Sequence, residues 1–292
     1  MRTLTPSPST AAKLFATGFT IGPIVDSFHN QCLLKYDVLP INLEWPAITN
    51  NIAHDYPYFF CSSWTVPPLL GVAYVVLGAV LPRIVEATLA PKSNRKEQAT
   101  SLTKIPETQS ESAPLLSENL RVRALLAVAT TAMIIKLSEF LETHQNVFDN
   151  FEVLNHSVDS PSLSLLVMVA AAISQWALLD RSIAALVVAS ITAIGGPLAE
   201  LPFVGHGVWT YLDGAADYFP LQNAYSNAIA SIAAIDSNSV ILQASEALFG
   251  TSNYQDLALS SITGPCYFAV TMDAIALGRW FDSSKSSSIK SS

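Results

Sequence analysis

Long apolar runs separated by short polar segments give the chain its pattern. The clearest pair of runs covers residues 163–179 and 183–204, and only Asp180-Arg181-Ser182 separates them. Two apolar runs joined by so short a polar turn predict a tight antiparallel pair of helices. The first run spans about 25 Å as a helix, just below the ~30 Å hydrocarbon core of a bilayer. We therefore predict a membrane hairpin whose turn lies at a membrane surface.

Four more apolar stretches predict further helices that cross the membrane. The first of them carries Gly18 and Gly22 four residues apart, a spacing that lets a second helix approach closely. Together with the hairpin, these stretches predict an all-α membrane protein built as a bundle of six transmembrane helices. The four stretches cover residues 11–34, 62–85, 120–140 and 262–281.

The second predicted helix begins with a distinctive set of residues. Trp64 suits the interface between lipid and water. Pro67 and Pro68 suit the first turn of a helix, where a missing N–H costs no hydrogen bond. The preceding residues, 37–60, are polar and aromatic and contain prolines, so we predict a loop there.

Polar segments complete the predicted organisation. Residues 86–119 have no apolar period, which predicts a disordered linker. Residues 205–261 contain no lysine or arginine, and their middle, 228–248, predicts one or two lumenal or interfacial amphipathic helices, with a seventh span as the alternative. Residues 1–10 have the composition of a transit peptide or signal sequence, but we favour a short cytosolic tail. Residues 282–292 form the other predicted tail.

The composition agrees with a membrane protein. The chain has 292 residues, of which 50% are hydrophobic and 13% are charged, whereas soluble domains carry about 25% charged residues. A β-barrel would show short alternating segments instead of long apolar runs. The formal net charge of −8 argues against a nucleic-acid partner. We expect Cys32, Cys61 and Cys266 to be buried free thiols, because three cysteines are too few for a disulfide scaffold.

The distribution of basic residues predicts the orientation in the membrane. Cytosolic loops of membrane proteins collect lysine and arginine. All of the 15 lysine and arginine residues except Lys35 and Lys136 lie in segments that six alternating spans would place on one side. Both termini are therefore predicted to be cytosolic. Asn155, a candidate N-glycosylation site, then falls on the lumenal side.

Several ionisable residues lie inside or near the predicted spans. Such groups are costly in hydrocarbon, and they usually pair with one another or face the interior of a bundle. They would suit structural ion pairs, which we favour, or acid–base catalysis and a proton path. Two pairs of them are three residues apart and so share a helix face. The residues are Asp26 with His29, Lys136 with Glu139, and the single residues Glu200 and Asp273.

Enzyme and metal motifs are absent from the sequence. It contains no His-Glu-x-x-His or Cys-x-x-Cys metal motif, no Gly-x-Ser-x-Gly elbow and no phosphate-binding loop. We therefore predict a protein that is not an enzyme, with no catalytic residue, metal or cofactor. Asp180, Arg181 and Ser182 have two interpretations. They form a ligand or partner site on the cytosolic face, or Asp180 caps the next helix and Arg181 sets the topology.

Motifs along the chain resemble those of the Insig (insulin-induced gene) family. The segment 62–68, followed by Gly71 and by 76–78, is similar to the family's second-helix signature. Trp176 with 179–182 is similar to the end of its fourth helix. These elements occur in the family's order and extend from the second span to the last. Further similarities are Lys136-Leu137 with Phe140, Gly207-Val208-Trp209 with Tyr211, and Pro265-Cys266 with Gly278-Arg279.

The resemblance implies a function and partners. It implies a six-helix protein of the endoplasmic reticulum that binds an oxysterol within the membrane. It also implies two sterol-sensing-domain partners: Scap, which the family retains, and HMG-CoA reductase, whose degradation the family promotes. The family's aspartate that is needed for Scap binding matches Asp180. We therefore expect a non-enzymatic, sterol-responsive regulator whose partner-binding residues are Asp180, Arg181 and Ser182.

The chain departs from the family pattern at several positions. The family's sterol-contacting Phe and Gln align with Ala127 and Leu163, and the insertion between Tyr211 and Pro265 has no counterpart. These departures indicate a divergent, non-animal member. Two other classes stay open. One is an assembly factor in a plastid or other organelle membrane. The other is a small transporter or intramembrane enzyme that uses Asp26, His29, Glu200 and Asp273.

Overall fold

Helices make up most of the structure. The computed structural model describes residues 4–46, 58–89, 119–144, 152–153, 156–157, 160–222, 224–236, 239–250 and 257–289. A π-helical segment, Val76–Val80, joins α2 to α3, so that these two form one continuous helix. The helices of the described residues are α1 (Pro8–Leu33), α2 (Val66–Val75), α3 (Leu81–Leu89), α4 (Leu120–Thr143), α5 (Ser160–Leu179), α6 (Ile183–Gly205), α7 (Ala224–Ile235), α8 (Val240–Phe249) and α9 (Thr263–Ile289).

Four helices of the described ranges are long and apolar enough to cross a membrane. They are the continuous helix α2–α3 and helices α4, α5 and α6. Helices α1 and α9 are long enough, with 26 and 27 residues, but neither contains a stretch apolar enough to count as a candidate membrane span. Helices α7 and α8 have 12 and 10 residues, which is too short for a hydrocarbon core about 30 Å thick. Four of the six predicted spans are thus helices that could cross a membrane by their length and composition.

Side chains at the helix starts satisfy backbone N–H groups that would otherwise lack partners. The Ser7 hydroxyl accepts a hydrogen bond from the Thr10 backbone N at 3.2 Å at the start of α1. The Asn119 side chain does the same for α4. Pro67 and Pro68 occupy the first turn of α2, as predicted. The predicted helix start at residue 62 is wrong, because α2 begins at Val66.

The structure also contains short strands, which the all-α prediction did not include. In chain order they are β1 (Leu34–Tyr36), β2 (Pro40–Glu44), β3 (Tyr58–Ser63), β4 (Glu152–Val153), β5 (His156–Ser157) and β6 (Trp209–Tyr211). They form three antiparallel pairs, β1 with β6, β2 with β3 and β4 with β5. The predicted loop at 37–60 therefore contains β2 and the start of β3. Strands of two to six residues give a weaker sequence signal than the apolar runs beside them.

Several predicted boundaries also move. Helix α3 continues to Leu89, so the first residues of the predicted linker 86–119 are helical, and residues 90–118 lie outside the described residues. Helix α9 continues to Ile289 through most of the predicted tail 282–292. Two short helices occupy the middle of the 205–261 insertion, in agreement with the prediction of one or two. Asn155 lies outside the described residues.

Helix α9 is the centre of the bundle. It packs against α1, α2, α4, α5 and α6. Where it crosses the π-helical segment after α2, a Cβ atom added at Gly278 would lie 2.0 Å from the carbonyl oxygen of Gly78. Only glycine permits so close an approach of two backbones, which is typical of helix contacts in membranes. Gly18 of α1 makes a similar contact, since an added Cβ atom would lie 2.4 Å from the Leu70 carbonyl oxygen of α2.

The predicted hairpin of α5 and α6 is not a tight pair. The two helices are joined by the expected short turn, but they pack against α9 rather than along each other. The reason is that α9 fills the space between them with large side chains, Phe268, Met272 and Ile275, which are all buried. The three helices therefore form one unit whose middle member is distant in sequence.

The outer faces of the long helices carry large apolar side chains. Exposed apolar residues in such numbers are unfavourable against water and suit a surface that faces lipid. They occur on α1, α2, α4, α5 and α6. Examples are Phe19, Ile24, Val72, Leu125, Met133, Leu166, Ile191 and Ile194.

Candidate functional site

Basic residues from several helices meet at one end of the bundle, which we call the basic end. It is formed by the first turns of α1 and α4, helix α3, the α5–α6 turn and the C-terminal half of α9. Its contacts include Lys13 over the Phe281 ring at 5.5 Å and Arg121 over the Trp280 ring at 5.9 Å. Its basic residues are Lys13, Arg83, Arg121, Arg123, Arg181 and Arg279.

Asp180 is the central carboxylate of the basic end. Its side chain is only 2% exposed. Arg279 of α9 donates a hydrogen bond to Oδ2 of Asp180, and Nη2 of Arg123 lies 3.6 Å from the same oxygen. The Ser182 backbone N donates to Oδ1 at 2.9 Å. A buried carboxylate needs both a counter-charge and hydrogen bonds, and Asp180 has both.

Ser182 fixes the shape of the turn. Its hydroxyl donates to Asp180 and accepts hydrogen bonds from the Ala185 backbone N at 3.2 Å and from Arg279 Nη2 at 3.0 Å. The indole N–H of Trp176 donates to the Ser182 carbonyl oxygen at 3.0 Å. Ser182 is therefore the cap of α6, and the alternative that Asp180 is the cap is wrong. Arg181 has a φ of 65°, in the left-handed region.

Exposure distinguishes the three predicted partner-binding residues. Asp180 and Ser182 are buried, and Arg181 is half-buried. Of the three, only Arg181 has a side chain that reaches the surface of the turn. Asp180 and Ser182 affect this surface indirectly, because they fix the backbone conformation of the turn.

A second group of contacts extends the basic end to α1 and α3. Asp282 of α9 accepts hydrogen bonds from Arg83 and from the Thr10 hydroxyl, the latter at 2.7 Å. Arg279 Nη2 also lies 3.8 Å from Oε1 of Glu86. Ion pairs and hydrogen bonds at this end thus connect α1, α3, α4, the α5–α6 turn and α9.

A different polar group, which we call the distal cluster, lies where α1 ends. Asn30 donates to Oδ2 of Asp26 at 2.8 Å and to the Tyr36 hydroxyl at 3.1 Å. Nε2 of His29 lies 3.6 Å from Oδ1 of Asp26. Nδ1 of His29 shares a hydrogen bond of 2.8 Å with the Ser138 hydroxyl of α4. The predicted pairing of Asp26 with His29 is therefore present.

Glu200 of α6 belongs to the distal cluster. The hydroxyls of Tyr211 and Tyr267 each donate to one of its carboxylate oxygens at 2.6 Å. Tyr211 lies on β6, which pairs with β1, the strand that carries Tyr36. The distal cluster therefore consists of Asp26, His29, Asn30, Tyr36, Ser138, Glu200, Tyr211 and Tyr267.

The remaining predicted ionisable residues are elsewhere. Lys136 donates to Oε1 of Glu139 at 2.6 Å, so this predicted pair is present on α4. Asp273 is on α9 and accepts from the Tyr74 hydroxyl at 3.2 Å. Trp64 is exposed just before α2. No group of three histidine, cysteine, aspartate or glutamate residues in the described ranges is arranged to hold a metal ion.

Several residues of these sites were not predicted from the sequence. The charge pattern identifies Arg123 and Arg279 as topology signals, and the family motifs include Arg279, but neither predicts these arginines as partners of Asp180 or Tyr211 and Tyr267 as partners of Glu200. The sequence did contain a signal for these contacts. A carboxylate within an apolar stretch requires a hydrogen-bond donor or a cation from another helix at the same level of the bundle. The aligned sterol-contact positions, Ala127 and Leu163, are both buried.

The three cysteines are free thiols, and the expected burial is confirmed for Cys61 and Cys266 but is wrong for Cys32, which is half-buried. Comparison with known proteins adds no identification of the site. The chain matches no protein-family model, no curated protein and no solved structure.

Proposed function

We propose that the chain is a non-enzymatic, sterol-responsive regulator of the kind that its motifs resemble. In this proposal six helices cross the membrane of the endoplasmic reticulum, with both termini in the cytosol. An oxysterol-like lipid binds to the bundle, and the α5–α6 turn contributes to the surface that retains or regulates a sterol-sensing-domain protein.

The arrangement of charges supports the proposed topology. Four helices are long and apolar enough to cross a membrane. Helices α1 and α9 pack beside them and are as long, which supports two further spans whose polar residues are satisfied inside the bundle. The arginines near the helix ends meet at the basic end, as the positive-inside rule requires of the cytosolic face.

The geometry around Asp180 is the single observation that most supports the proposed partner-binding surface. Arg279 of α9 and Arg123 of α4 hold the turn from two sides, while Ser182 closes it locally. A short loop held this firmly presents one backbone conformation, so binding loses little conformational entropy. The partially exposed Arg181 would make the direct contact, and Asp180 would act as a positioning residue.

The lipid would act by linkage. A ligand shifts a conformational equilibrium only if it binds one state more tightly than the other. Because α5 and α6 both pack on α9 rather than on each other, a flat apolar ligand beside α9 would contact both helices. Such a ligand would change the separation of α5 and α6 and hence the turn between them. Partner binding would then strengthen lipid binding by the same factor.

Co-purification from the native membrane tests the proposal most directly. The tagged chain is solubilised with and without an added oxysterol, and bound lipids and proteins are identified together. We expect a sterol-sensing-domain protein whose recovery depends on sterol. Recovery of neither a sterol nor such a partner would overturn the proposal.

Two variants separate contact from folding in this experiment. Arg181→Gly removes the side chain at a backbone conformation that glycine tolerates, so the fold should remain while partner recovery falls. Asp180→Ala should reduce both. A protease-protection assay of the 86–119 segment and imaging of the tagged chain test the topology and distinguish the endoplasmic reticulum from a plastid or other organelle membrane.

The distal cluster favours a second candidate function, a small transporter or intramembrane enzyme. The Ser138 hydroxyl donates to the Ile135 carbonyl oxygen at 2.6 Å, so Nδ1 of His29 must donate to Ser138. Nε2 of His29 then faces Asp26, and a proton on either group would hold the two together. A proton that can occupy either of two groups is the basic element of a proton path.

Alanine substitution discriminates between the two functions. The four residues Asp26, His29, Glu200 and Asp273 are replaced singly, and partner recovery and growth phenotypes are compared with those of Arg181→Gly. The regulator predicts that Arg181→Gly has the larger effect on partner recovery. If Arg181→Gly is silent while the four substitutions abolish a transport or catalytic phenotype, the second function replaces the first.

A further inference from the structure

Helices α7 and α8 form a unit that the proposed function does not use. They have 12 and 10 residues, and both are apolar but too short to cross a membrane. The ring of Tyr225, at the start of α7, lies edge-on to the ring of Phe249, at the end of α8, with 5.8 Å between the ring centroids. The Tyr225 hydroxyl also shares a hydrogen bond with the Ser245 hydroxyl of α8. The two helices therefore fold back on each other, and we call them the α7–α8 hairpin.

The α7–α8 hairpin is attached where α6 ends. A Cβ atom added at Gly205, the last residue of α6, would overlap the carbonyl oxygen of Phe249, so the two backbones are in direct contact. Beside this contact, Nε2 of His206 donates a hydrogen bond to the carbonyl oxygen of Ala247 at 3.1 Å. Helix α6 is one of the four helices that could cross a membrane. The end of such a helix lies at a membrane surface, and α8 is therefore held at that level.

Helix α8 has three faces of different character. One face is buried or half-buried, a second is apolar and exposed, and a third is polar and exposed. In this order, the faces consist of Leu242, Ser245 and Phe249, of Ile241, Ala244 and Leu248, and of Gln243 and Glu246. Counted at about 100° per residue, the apolar and polar faces point in nearly opposite directions, and the packed face lies between them.

The apolar side chains of the hairpin are more exposed than those of the long helices. Ile235 and Val240, on either side of the turn between α7 and α8, are 88% and 78% exposed. Ile241 and Leu248, on the apolar face of α8, are 58% and 54% exposed. Apolar surface of this extent is unfavourable in water, and it marks contact with a membrane or with another protein.

The position and the faces of α8 together select a membrane. The outer face of α6 exposes Ile191 and Ile194, so the helix that carries the hairpin already has a surface suited to lipid. An amphipathic helix that exposes an apolar face and, opposite to it, a polar face is satisfied on both sides at the boundary between acyl chains and water. A protein that covered the apolar face would not require α8 to lie where α6 leaves the membrane.

The charges of the hairpin select the kind of lipid. Helices that bind anionic lipids carry lysine or arginine on the polar face. Residues 205–261 contain neither, and the hairpin carries the acidic residues Asp236 and Glu246. Binding must therefore come from the burial of apolar side chains, which favours neutral phospholipids.

We propose that the α7–α8 hairpin is a lipid-binding element that lies in the membrane interface. The apolar face of α8 inserts among the acyl chains of neutral phospholipids, and its polar face stays in water. The hairpin fixes the depth at which α6 ends, because the two are joined by the backbone contact at Gly205. Of the proposed function, this inference uses only the membrane crossing of α6, and it depends on neither the sterol nor the partner.

Spin labels on the two exposed faces of α8 test the proposal. The full chain is placed in phosphatidylcholine nanodiscs, and single labels are attached to Ile241→Cys, Leu248→Cys, Gln243→Cys and Glu246→Cys. The unsubstituted chain, treated in the same way, gives the background of the three native cysteines. Collision rates are measured with oxygen, which concentrates among acyl chains, and with a water-soluble nickel complex. We expect the ratio of oxygen to nickel collisions to be several-fold higher on the apolar face than on the polar face.

The other possible results would each overturn the proposal. Equal ratios on the two faces would mean that α8 lies wholly in water or wholly in lipid. Low collision rates with both reagents at Ile241 and Leu248 would mean that a protein surface covers the apolar face.

A label at Ile194→Cys on α6 separates this proposal from the proposed topology. Ile194 is 69% exposed on a helix that could cross a membrane, so its ratio should be high. A low ratio at Ile194 would contradict the membrane crossing of α6, and this inference would fail with it. A high ratio at Ile194 together with a low ratio at Ile241 would overturn the inference about the hairpin alone.

Nanodiscs that also contain phosphatidylserine test the choice of lipid. Anionic headgroups repel the carboxylates of Asp236 and Glu246 and find no lysine or arginine on the hairpin. We therefore expect the ratio at Ile241 to stay equal or to fall when phosphatidylserine is added. A ratio that rises would overturn the assignment to neutral lipid.

Discussion

Replacing Asp180 or Arg279 by alanine should destabilise the protein more than any substitution at an exposed ion pair. Two unit charges about 4 Å apart attract by about 4 kcal/mol at an effective dielectric constant of about 20. Removing one partner of a buried pair costs about 3–5 kcal/mol, because the other charge stays buried. The Asp180 side chain is 2% exposed, so Arg279→Ala should fall in this range.

The neighbours of the pair adjust this estimate. After Arg279→Ala, Asp180 would still have Nη2 of Arg123 at 3.6 Å, which places the loss near the lower limit, about 3 kcal/mol. After Asp180→Ala, Arg279 would still have Glu86 at 3.8 Å, but Arg123 and two hydrogen-bond donors of Ser182 would also lose the carboxylate, so we expect a loss of about 3–5 kcal/mol. The double variant should lose less than the sum, with a coupling energy of about 1–3 kcal/mol.

The pair of Arg83 and Asp282, of which only Asp282 is exposed, is the matched control at the same end of the bundle. The Asp282 side chain is 43% exposed, and solvent weakens the attraction. Asp282→Ala should therefore cost about 1 kcal/mol or less. The free energy of unfolding is measured by denaturant titration in mixed micelles for the four chains of the Asp180–Arg279 cycle and for Asp282→Ala. Additive effects of Asp180→Ala and Arg279→Ala, or an equal cost of Asp282→Ala, would refute the reasoning.

Three further predictions concern backbone contacts, the distal cluster and the turn. Gly278→Ala should destabilise the protein by about 1–3 kcal/mol, because the added Cβ atom would lie 2.0 Å from the carbonyl oxygen of Gly78. Gly195→Ala is the control: its added Cβ atom would have no other atom within 4 Å, so this variant should lose little stability in the same unfolding assay. Tyr267→Phe should cost about 1–3 kcal/mol in a chain that keeps Glu200, because it leaves a buried carboxyl oxygen without its donor, and less in one that carries Glu200→Ala, which has already lost the acceptor. Arg181→Gly should change the free energy of unfolding by less than about 1 kcal/mol, because relief of the left-handed φ offsets the loss of the side chain's interactions, and a loss above about 2 kcal/mol would contradict this.

The existence of the long helices could be predicted from the sequence because apolar runs of this length have few other folded forms. Their ends were less predictable. Helix α3 continues past residue 86, and there Glu86 pairs with Arg279, a contact made across about two-thirds of the chain. The hairpin of β2 and β3 was missed because its strands are short and their pairing depends on backbone hydrogen bonds rather than on a long apolar period.

The candidate site could be predicted only in its local parts. Asp26 with His29 and Lys136 with Glu139 are three residues apart on one helix, so spacing alone indicated both contacts. The partners of Asp180 lie on α4 and α9, and the partners of Glu200 are tyrosines from β6 and α9. Local spacing does not specify which helices become neighbours. The burial of Asp180 results from the packing of α9 between α5 and α6, so it could not be predicted from the sequence around Asp180.

That packing also determines how a ligand would influence the basic end. In lipid there is little hydrophobic force between helices, so close backbone contacts and polar contacts must hold a bundle together. The backbone contact at Gly278 and the ion pair at Arg279 are adjacent on α9, which ties the α2–α9 crossing to the α5–α6 turn. A lipid that moves α9 by even a fraction of an ångström would therefore act on both contacts together. Because the backbone contact is close and the Asp180 carboxylate is buried, the bundle would respond by changing between discrete arrangements rather than by bending gradually.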